Sequence, residues 1–581
     1  MKLSGAELVV EALKQEGVDL LFGYPGGAVI PIFDELYDEE NIEVILTRHE
    51  QAAVHAADGY ARSSGRVGVC VATSGPGATN TITGLATANF DSVPIVCITG
   101  QVPRNMIGND AFQEADTVGL TRPITKHNYL VTQRKDLARI LKEAFYISRS
   151  GRPGPVLVDI PKDILNTKQD DKYPDSIMIR GYNPVYKGHP GQIKRAAKAF
   201  NKAKRPLFFI GGGVHISQGA ADTFLKILDK TNCPVVTSLM GIGIVDKDDP
   251  RNLGMLGMHG THAANMAVTD CDLLFGIGVR FDDRATGDLS KFAPNAEIVH
   301  IDIDSAAIAR NVPVEIPIVG DANNILTDLL PNLKKTDISD WQEKTKSWKQ
   351  EKPLIVKEFK KEGLAPAHII QKLSEVFPDA IITSEVGQNQ MWGALFYKFS
   401  KPRTWLTSGG LGTMGYGFPA AIGAQAAFPD KRVIDVAGDG SIQMNIQELA
   451  TAVIEELPVI IAVLNNGYLG MVRQWQELFY NRRYSSTCLL KDKRCPSNCK
   501  RHSDDCPKYV PDFVKLAEAY GAVGIRVEKE EDIVPALERA KEVTDRPIVI
   551  DFLIAREANV WPMVPAGAGI HQMMEGKGEI L

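Results

Sequence analysis

The stretch RVIDVAGDGSIQMNIQELATAVIEELPVIIAVLNN, residues 432–466, joins two short apolar segments through a segment whose apolar residues recur at helical spacing. The first apolar segment ends at Gly-Asp-Gly, residues 438–440, and the second ends at Asn-Asn, residues 465–466. This pattern predicts a strand, a helix and a second strand parallel to the first. Because ligands of an open parallel sheet bind at the carboxyl ends of its strands, we expect Asp439 and Asn466 to converge at one edge.

The same alternation recurs along the 581-residue chain. Val- and Ile-rich segments such as VPIVCITG, RPLFFIGG and RPIVIDFLI alternate with helical patterns, which favours an α/β protein with buried parallel sheets. A polar, Pro- and Gly-punctuated segment, residues 166–190, and a heavily charged segment, residues 334–363, separate three such regions. We therefore predict three doubly wound parallel-sheet domains, residues 1–165, 190–335 and 364–560, followed by a tail, residues 561–581.

The composition of the chain argues against two classes of binding partner, nucleic acids and lipid membranes. The net charge is −6 at pH 7 and the isoelectric point is about 6.1, so the chain lacks the basic character expected of a nucleic-acid-binding protein. It has no uninterrupted apolar run of about 18 residues, which argues against a membrane span. The N-terminal sequence MKLSGAELVVEALKQEGV has an amphipathic helical pattern rather than that of a signal peptide, and we expect a cytoplasmic protein.

Asp439 has two interpretations that remain open from the residues alone. An aspartate and an asparagine at the edge of a sheet, beside glycines, suit Mg²⁺, which takes oxygen ligands and is often shared with substrate phosphates. A helix N-terminus at the same edge would favour a diphosphate. The alternative is an aspartate that caps a helix and an Asn-rich turn, neither of which needs a ligand. The chain has no G-x-x-x-x-G-K-[ST] sequence, so a P-loop is not the source of phosphate binding.

The spacing of these residues resembles a known signature. Gly-Asp-Gly, 24 intervening residues and Asn-Asn resemble the signature of the thiamin diphosphate-dependent decarboxylases and carboligases. The resemblance implies the thiamin diphosphate-binding fold. It also implies that Asp439, the side chain of Asn466 and the backbone carbonyl of Tyr468 bind Mg²⁺, which anchors the diphosphate of thiamin diphosphate.

Longer strings narrow the resemblance. FGYPGGAVIPIFDEL, GQVPRNMIGNDAFQE, GLGTMGYGFPAAIGA and MVRQWQELFY look like the catalytic large subunits of biosynthetic acetolactate synthases (acetohydroxyacid synthases), and the likeness extends over about residues 3–570. It implies a transferase that decarboxylates pyruvate and transfers the two-carbon unit to a second pyruvate or to 2-ketobutyrate, in branched-chain amino-acid biosynthesis. The alternatives are an FAD-linked pyruvate oxidase, which shares the fold and both cofactors, and a catalytically inactive scaffold.

Residue roles follow from the resemblance by position. Glu50, in RHEQAA, would activate the cofactor by hydrogen bonding to its aminopyrimidine ring, although a glutamate in the first turn of a helix is by itself only favourable to the helix dipole. Met414 would be an apolar wedge that bends the cofactor, and Trp475 would favour 2-ketobutyrate; alone, both are typical core residues. The implied catalytic residues are Glu50, Gly27, Gln113, Met414 and Lys162, and the implied substrate contacts are Phe112, Gln113, Lys162 and Trp475.

The remaining implied contacts belong to two cofactors. For thiamin diphosphate they are Gln388, Asn389, Gly412, Met414, Gly440, Ser441, Leu469, Gly470 and Met471. Asn389 stands where the family commonly has His, and it can donate a hydrogen bond to a diphosphate oxygen without carrying charge. GMLGMHG and GVRFDDR resemble the family's site for FAD, which does no net redox chemistry in the synthase reaction; RFDDR alone would be a solvated charged surface. The implied FAD contacts are Arg152, Gly212, Ser238, Leu239, Leu256, Gly257, Met258, His259, Gly278, Arg280, Asp283, Arg284, Asp302, Ile303 and Asp321.

The resemblance also implies an assembly. In relatives Glu50 and Asp439 come from different subunits, so the active site would form across the interface of a homodimer or tetramer. A separate small regulatory subunit is also expected.

One segment departs from the family pattern. CLLKDKRCPSNCKRHSDDC, residues 488–506, reads as an insertion whose cysteines are spaced by six, three and six residues. The segment has too few apolar residues to build its own core, so a cross-link is a reasonable means of ordering it. The alternatives are a zinc or iron–sulfur site, redox-labile disulfides, or uncoordinated thiols, with His502 as a further candidate ligand. The cysteines are Cys488, Cys495, Cys499 and Cys506.

Overall fold

The computed structural model describes residues 2–170, 172–355, 363–496, 499–500 and 506–576. It contains three six-stranded sheets in which every strand pairing is parallel, and one small two-stranded antiparallel sheet. Helices flank each large sheet, so the prediction of three parallel-sheet α/β domains is confirmed. No helix in these ranges is long and apolar enough to cross a lipid bilayer.

The first large sheet has the strand order β3-β2-β4-β5-β7-β6. Its region contains strands β1 (Lys2–Leu3), β2 (Leu20–Tyr24), β3 (Glu43–Leu46), β4 (Gly68–Ala72), β5 (Ile95–Gln101), β6 (His127–Leu130), β7 (Val156–Pro161) and β8 (Gln169–Asp170). The helices are α1 (Gly5–Gln15), α2 (Ile30–Tyr37), α3 (Glu50–Ser64), α4 (Pro76–Asn80), α5 (Ile82–Asp91), α6 (Thr117–Thr121), α7 (Leu137–Arg149) and α8 (Lys162–Asn166). Strand order reverses between β2 and β4, which makes their carboxyl ends a switch point where ligands bind.

The second large sheet has the order β11-β10-β9-β12-β13-β14, with its switch point between β9 and β12. Its strands are β9 (Pro206–Ile210), β10 (Val235–Thr237), β11 (Asn252–Met255), β12 (Leu273–Ile277), β13 (Glu297–Asp302) and β14 (Ile316–Val319). Its helices are α9 (Pro190–Phe200), α10 (Gly212–Ile216), α11 (Ala220–Thr231), α12 (His262–Asp270), α13 (Asp283–Thr286), α14 (Ala322–Leu329) and α15 (Ser339–Glu351).

The third large sheet has the order β16-β15-β17-β18-β20-β19, with its switch point between β15 and β17. Its strands are β15 (Ile381–Ser384), β16 (Trp405–Thr407), β17 (Val433–Gly438), β18 (Ile460–Asn465), β19 (Val523–Val527) and β20 (Ile548–Leu553). Its helices are α16 (Pro366–Val376), α17 (Gln388–Phe396), α18 (Gly417–Ala427), α19 (Leu449–Ile454), α20 (Gly470–Phe479), α21 (Phe513–Ala519) and α22 (Ile533–Glu542).

Helices α3 and α18 join the first and third domains through one shared apolar core. Their backbones meet at two glycines. A Cβ atom at Gly59 would lie 2.1 Å from the carbonyl oxygen of Ala420, and one at Gly423 would lie 1.9 Å from that of Ala56. No other residue fits at either position without separating the helices. This contact sets the position of α3, which carries Glu50 at its N-terminus, relative to the third domain.

Two predicted segments differ from the simple linkers expected of them. Within residues 166–190, β8 pairs antiparallel with β1. Within residues 334–363, α15 packs onto the second domain, because Trp341 is buried in that domain's core and its indole N–H donates to the Pro206 carbonyl at 2.9 Å. Both segments are polar in composition, which led to the prediction of linkers. In the structure, a few specific contacts attach them to the neighbouring domains.

The helix expected directly after the Gly-Asp-Gly turn is also different. Residues 442–444 and 446–448 form 3₁₀ turns, and the short helix α19 follows. Two side chains in this segment donate hydrogen bonds to backbone carbonyls. Asn445 Nδ2 donates to the Gly415 carbonyl at 2.6 Å, and Gln443 Nε2 donates to the Asp439 carbonyl at 2.8 Å. Such side chain to backbone bonds compete with helix formation. The helix N-termini near this edge are instead those of α17 and α20.

Candidate active site

The carboxyl ends of β17 and β18 bring the predicted metal ligands together. Gly438 pairs with Leu464, so Asp439 and Asn466 leave the sheet side by side. The Asp439 carboxylate is buried and accepts hydrogen bonds from the backbone N–H groups of Asn466 at 3.4 Å and Gly467 at 3.1 Å. The Asn466 side-chain oxygen accepts from the N–H of Tyr468 at 2.9 Å, which folds the loop back over the edge.

The electrostatics of this edge suit a divalent cation. Burial raises the pKa of Asp439 to about 7, and the nearby Asp551 carboxylate also raises it. A buried carboxylate in these surroundings is stabilised in its charged form by a cation in direct contact. The oxygen donors present, which are the Asp439 carboxylate, the Asn466 amide oxygen and the Tyr468 carbonyl, are those that Mg²⁺ prefers. The residues therefore fit the metal that the resemblance implies.

Glycines at the same edge leave room for a bound group. Gln388 begins α17 after the short turn that follows β15, and its Oε1 accepts from Asn466 Nδ2 at 3.3 Å. A Cβ atom at Gly470 would lie 2.2 Å from that oxygen, and a Cβ atom at Gly440 would lie 2.8 Å from the Leu469 side chain. Replacement of either glycine by a larger residue would place a side chain at the sheet edge where a diphosphate is expected to bind.

The side chain of Asn389, a predicted cofactor contact, is hydrogen-bonded to backbone carbonyls. Its side-chain Nδ2 donates to the carbonyls of Glu385 at 2.9 Å and Val436 at 2.8 Å, so both amide hydrogens are engaged with backbone. The remaining side-chain oxygen is an acceptor and cannot hydrogen-bond a diphosphate oxygen. Ser441 is also turned to the backbone, since its hydroxyl donates to the Gly438 carbonyl at 3.2 Å. Gln388 is engaged in a similar way, since its Nε2 donates to Gln474 Oε1 at 2.8 Å and to the Ala558 carbonyl at 2.9 Å. The cofactor contacts expected of these side chains stay predictions.

A second group lies at the carboxyl edge of the first sheet. Glu50, the first residue of α3, is buried, and its Oε2 accepts from Asn80 Nδ2 at 2.9 Å. A Cβ atom at Gly77 would lie 3.2 Å from Glu50 Oε1, and one at Gly27, which follows β2, would meet nothing within 4 Å. Open space therefore faces the backbone at Gly27.

The predicted substrate residues of the first domain border the same edge. Gln113 adopts φ +61° and packs against Gly75, whose Cβ would lie 2.8 Å from Gln113 Cβ. Phe112 is 87% exposed, and Lys162 begins α8 directly after β7. Within the described ranges, no hydrogen bond joins the Glu50 group to the Asp439 group. The expectation that the two groups complete each other across a subunit interface stays a prediction.

The predicted wedge reaches the metal edge. Met414 lies in the loop between β16 and α18, and its Cε is 3.9 Å from the position that a Cβ atom would take at Gly440. Thr413 beside it shares a 2.7 Å hydrogen bond with Thr87 of the first domain. The Met414 side chain therefore approaches the Gly-Asp-Gly turn from a loop that both domains contact.

A cavity of about 920 Å³ lies among the three domains. Every residue of the predicted FAD set lines it except Gly257, which is packed against the Arg284 carbonyl behind the wall. Gly412, Met471 and Trp475 also line it, so this cavity is continuous with elements of the predicted active site.

Four residues in the cavity wall carry a buried nitrogen that has no hydrogen-bond partner among the described residues: His215 Nδ1, His259 Nε2, Trp405 Nε1 and Trp475 Nε1. Burial lowers the pKa of His259 to about 4, and its Nδ1–H donates to the Pro562 carbonyl at 3.0 Å, so Nε2 is a free acceptor. With Arg152, Arg280 and Arg284 in the same wall, the residues fit a phosphate-containing dinucleotide such as FAD.

The first residues of the insertion are attached to the metal edge. Leu469 N–H donates to the Thr487 carbonyl and Leu489 N–H donates to the Gly467 carbonyl, both at 2.9 Å, so Cys488 pairs with Tyr468. The Arg556 guanidinium lies 4.7 Å from the centre of the Tyr468 ring and 3.9 Å from the Cys488 sulfur.

The structure does not gather the four cysteines. In the part of the chain that it describes, no three His, Cys, Asp or Glu side chains lie in metal-binding proximity, so the zinc or iron–sulfur site stays a prediction. His502 lies outside the described residues.

Two contributors were not predicted from the sequence. Asn80, which holds Glu50, lies in ATSGPGATN, a string that already resembled the family and could have indicated it. Arg403 lines the cavity and donates to the carbonyls of Arg62 and His215 at 2.8 and 2.7 Å. No motif in the sequence indicated Arg403, because its contacts arise only where the three domains come together.

Models of known families match all three domains. The N-terminal thiamine pyrophosphate-binding domain matches residues 3–120, the central domain of thiamine pyrophosphate enzymes matches residues 193–329, and the C-terminal thiamine pyrophosphate-binding domain matches residues 385–552.

Curated relatives match nearly the whole chain. The acetolactate synthase large subunit of Corynebacterium glutamicum is 50% identical over 573 residues, which covers 98% of this chain and 89% of the relative. That of Haemophilus influenzae is 47% identical over 587 residues, and the acetolactate synthase isozyme 3 large subunit of Escherichia coli is 47% identical over 591 residues; each match covers 99% of both chains. The chain belongs to the acetolactate synthase family of thiamin pyrophosphate enzymes. The resemblance found in the sequence is thus confirmed, and the pyruvate oxidase alternative is not favoured.

The two sheet edges and the cavity lie in the domains that define this family of thiamin pyrophosphate enzymes. The family's cofactor-binding domains are those that carry Glu50 and Asp439, at the switch points of the first and third sheets. The central domain supplies most of the cavity wall.

Proposed function

We propose that this chain decarboxylates pyruvate and transfers the two-carbon unit to a second pyruvate or to 2-ketobutyrate, releasing acetolactate or acetohydroxybutyrate. The observation that carries the proposal is near-50% identity to acetolactate synthases over almost the full chain, together with a buried Glu50 and a buried Asp439 at two sheet edges. Both carboxylates of the implied chemistry are present, which argues against an inactive scaffold.

The metal edge would hold the cofactor diphosphate. Asp439, Asn466 and the Tyr468 carbonyl would bind Mg²⁺, and the N-termini of α17 and α20 add backbone N–H groups that favour a diphosphate. Thiamin diphosphate, when bound, would supply a nucleophilic carbon and a thiazolium ring that serves as the electron sink for decarboxylation. Gln388 and the glycines at 440 and 470 border the space for it.

Glu50 would hold the proton that activates the cofactor. Asn80 engages Oε2 and fixes the orientation of the carboxyl group, which leaves Oε1 beside Gly77 to hydrogen-bond the aminopyrimidine ring. Gly27, Gln113, Phe112 and Lys162, around the same edge, would orient the 2-oxoacid and limit access of water. Trp475 would select the acceptor from the cavity side.

FAD is the proposed occupant of the cavity, on the support of its arginines and of the orphan nitrogens of His259 and Trp475. The assembly proposed is a homodimer or tetramer with a small regulatory subunit, as the name "large subunit" of the relatives suggests, in the cytoplasm. The exposed Phe112 at a catalytic edge supports completion of the site by a second copy.

The insertion is proposed to order the loop that closes the metal edge, because its backbone pairs with Gly467–Leu469. Metal analysis of anaerobically purified protein, and replacement of all four cysteines by serine, test whether a metal or a cross-link contributes. Sub-stoichiometric metal with unchanged kinetics and thermal stability would contradict a structural cysteine site.

The decisive experiment on the reaction uses pyruvate as the only substrate. Purified protein is supplied with thiamin diphosphate, Mg²⁺ and FAD, and the product is treated with acid and assayed for acetoin. Acetoin that is absent from the Glu50→Gln control supports the proposal. Oxygen-dependent acetate without acetoin would overturn it in favour of an oxidase.

A further inference from the structure

The loop that carries Met414 spans residues 408–418 when the first two residues of α18 are included, and it is fastened at both ends by buried carboxylates. At its start, the Asp91 carboxylate accepts from the N–H groups of Gly409 at 2.9 Å and Gly410 at 2.8 Å. At its end, the Glu385 carboxylate accepts from the N–H groups of Gly415 at 2.5 Å and Phe418 at 3.2 Å. The loop therefore cannot shift without breaking hydrogen bonds to charged groups, which are the stronger kind.

Glu385 is well placed to act on Met414. It directly follows β15, it is fully buried, and its hydrogen bond to Gly415 lies one residue from Met414. It also lies at the first turn of α18, where a negative charge is favoured by the helix dipole. The neighbouring Tyr416 is held separately, since its hydroxyl donates to Asp58 at 2.7 Å.

A second buried carboxyl group lies beside Glu385. Asp435 of β17 pairs with Thr383, so Asp435, Thr383 and Glu385 share one face of the sheet. A Cβ atom at Gly417 would lie 2.2 Å from Asp435 Oδ1 and 2.6 Å from the Glu385 nitrogen, which shows how closely the group is packed. Asp435 Oδ1 accepts from Thr383 at 3.2 Å, whereas Oδ2 has no partner among the described residues.

Two adjacent buried carboxyl groups cannot both be ionised, so one proton is retained. Burial raises the pKa of Glu385 to about 7, and the backbone hydrogen bonds that it receives from the start of α18 oppose that rise and favour its ionised form. Burial and the Glu385 charge raise the pKa of Asp435 far above its usual value. The geometry distinguishes them: Glu385 accepts from the N–H groups of Gly415 and Phe418, whereas Asp435 accepts only from the Thr383 hydroxyl among the described residues, so the proton is assigned to Asp435 and the charge to Glu385.

We propose that Glu385 is a positioning residue for the synthase reaction: its charged carboxylate holds the loop so that Met414 stays against Gly440 and supports the bent cofactor, while Asp435 is a neutral spacer. This inference rests on the proposed function only in that thiamin diphosphate is the group that Met414 supports.

A matched pair of amide variants tests the assignment. Glu385→Gln keeps the shape but replaces one acceptor oxygen by an N–H donor that faces backbone donors, whereas Asp435→Asn is close to isosteric with a protonated aspartic acid. The readout is exchange of the cofactor C2 proton for deuterium in the holoenzyme without pyruvate, measured by quenched NMR. Binding of thiamin diphosphate, the KM for pyruvate and thermal stability are measured in parallel.

Glu385→Gln is expected to slow C2 exchange and kcat together by about tenfold or more, with the cofactor dissociation constant and KM within about threefold of wild type. Asp435→Asn is expected to leave exchange and kcat within about twofold. A wild-type exchange rate in Glu385→Gln, or an equal loss in both variants, would overturn the proposal.

If Glu385→Gln does not fold, Glu385→Asp is used as the test. This variant keeps the negative charge, but its side chain is one methylene shorter, so the carboxylate lies farther from the loop. Slower exchange in that variant supports the positioning role, and wild-type exchange contradicts it. A wild-type protein that makes acetate instead of acetolactate would refute the proposed function, yet the exchange test would still stand.

Discussion

Replacing Gly423 by alanine tests how the first and third domains are joined. In wild type, the added Cβ would lie 1.9 Å from the Ala56 carbonyl oxygen and 2.7 Å from its carbon, and it faces backbone rather than a flexible side chain. The two helices must therefore separate by more than about 1 Å to reach an ordinary contact distance. Overpacking costs about 1–3 kcal/mol or more, against a gain of about 1 kcal/mol in helix propensity.

The net destabilisation expected for Gly423→Ala is about 2 kcal/mol, since no side chain can rotate away to relieve the contact. At about 2–4 °C per kcal/mol, the thermal transition that involves these domains should fall by about 4–8 °C, measured by calorimetry on the cofactor-free protein. Because α3 carries Glu50, specific activity at low temperature should fall as well.

Gly27→Ala is the matched control for that experiment. It adds the same methyl group where nothing lies within 4 Å, so it should leave the transition temperature unchanged while it obstructs the proposed substrate space and lowers kcat/KM. An unchanged transition temperature in Gly423→Ala would refute the close helix packing.

Three further changes have defined outcomes. Glu50→Gln should keep thermal stability and thiamin diphosphate binding but lower kcat by about 100-fold, and near-wild-type turnover at saturating cofactor would refute the role of Glu50. Trp475→Leu should lower the preference for 2-ketobutyrate over pyruvate by about tenfold in a competition assay of the two products, and an unchanged product ratio would exclude Trp475 as a specificity residue. Burial lowers the pKa of His215, His259 and His300 to about 4. These histidines stay neutral when folded but gain a proton near pH 6.5 when unfolded, so their contribution is complete above pH 6.5. It is lost as the pH falls towards 4, by about 1.4 kcal/mol per residue and pH unit. Because burial raises the pKa of Asp159, Asp439 and Glu448 to about 7, those groups gain stability over the same fall in pH, so the test compares wild type with a variant in which one histidine is replaced by glutamine. An equal change in melting temperature between pH 7.5 and pH 5 in the two proteins would contradict the histidine account.

The alternation of apolar and helical segments was sufficient to predict three parallel sheets, because buried parallel strands need continuous apolar runs. It also predicted where Asp439 and Asn466 meet, since chain order and parallel pairing alone place the ends of β17 and β18 together. Inference of this kind needs only local pattern and the topology of an open sheet.

Other features could not be read from the pattern because they depend on distant partners. The Asn389 side chain donates to the carbonyls of residues 385 and 436. The Trp341 ring packs a charged helix against the second domain. The pairing of Cys488 with Tyr468 likewise joins an insertion to a loop with no shared sequence signal. Each of these features depends on one or two hydrogen bonds or on one buried ring. The periodicity of apolar residues in the sequence carries no information about such contacts.

The loop at residues 408–418 connects the three sites. Gly412 lines the large cavity, Met414 reaches Gly440 at the metal edge, and Thr413 bonds to Thr87 of the domain that carries Glu50. A dinucleotide in the cavity would therefore pack against the same loop that supports the bent cofactor. That contact would give the proposed FAD a structural role, because filling the cavity would restrain a segment that also borders the proposed thiamin diphosphate site.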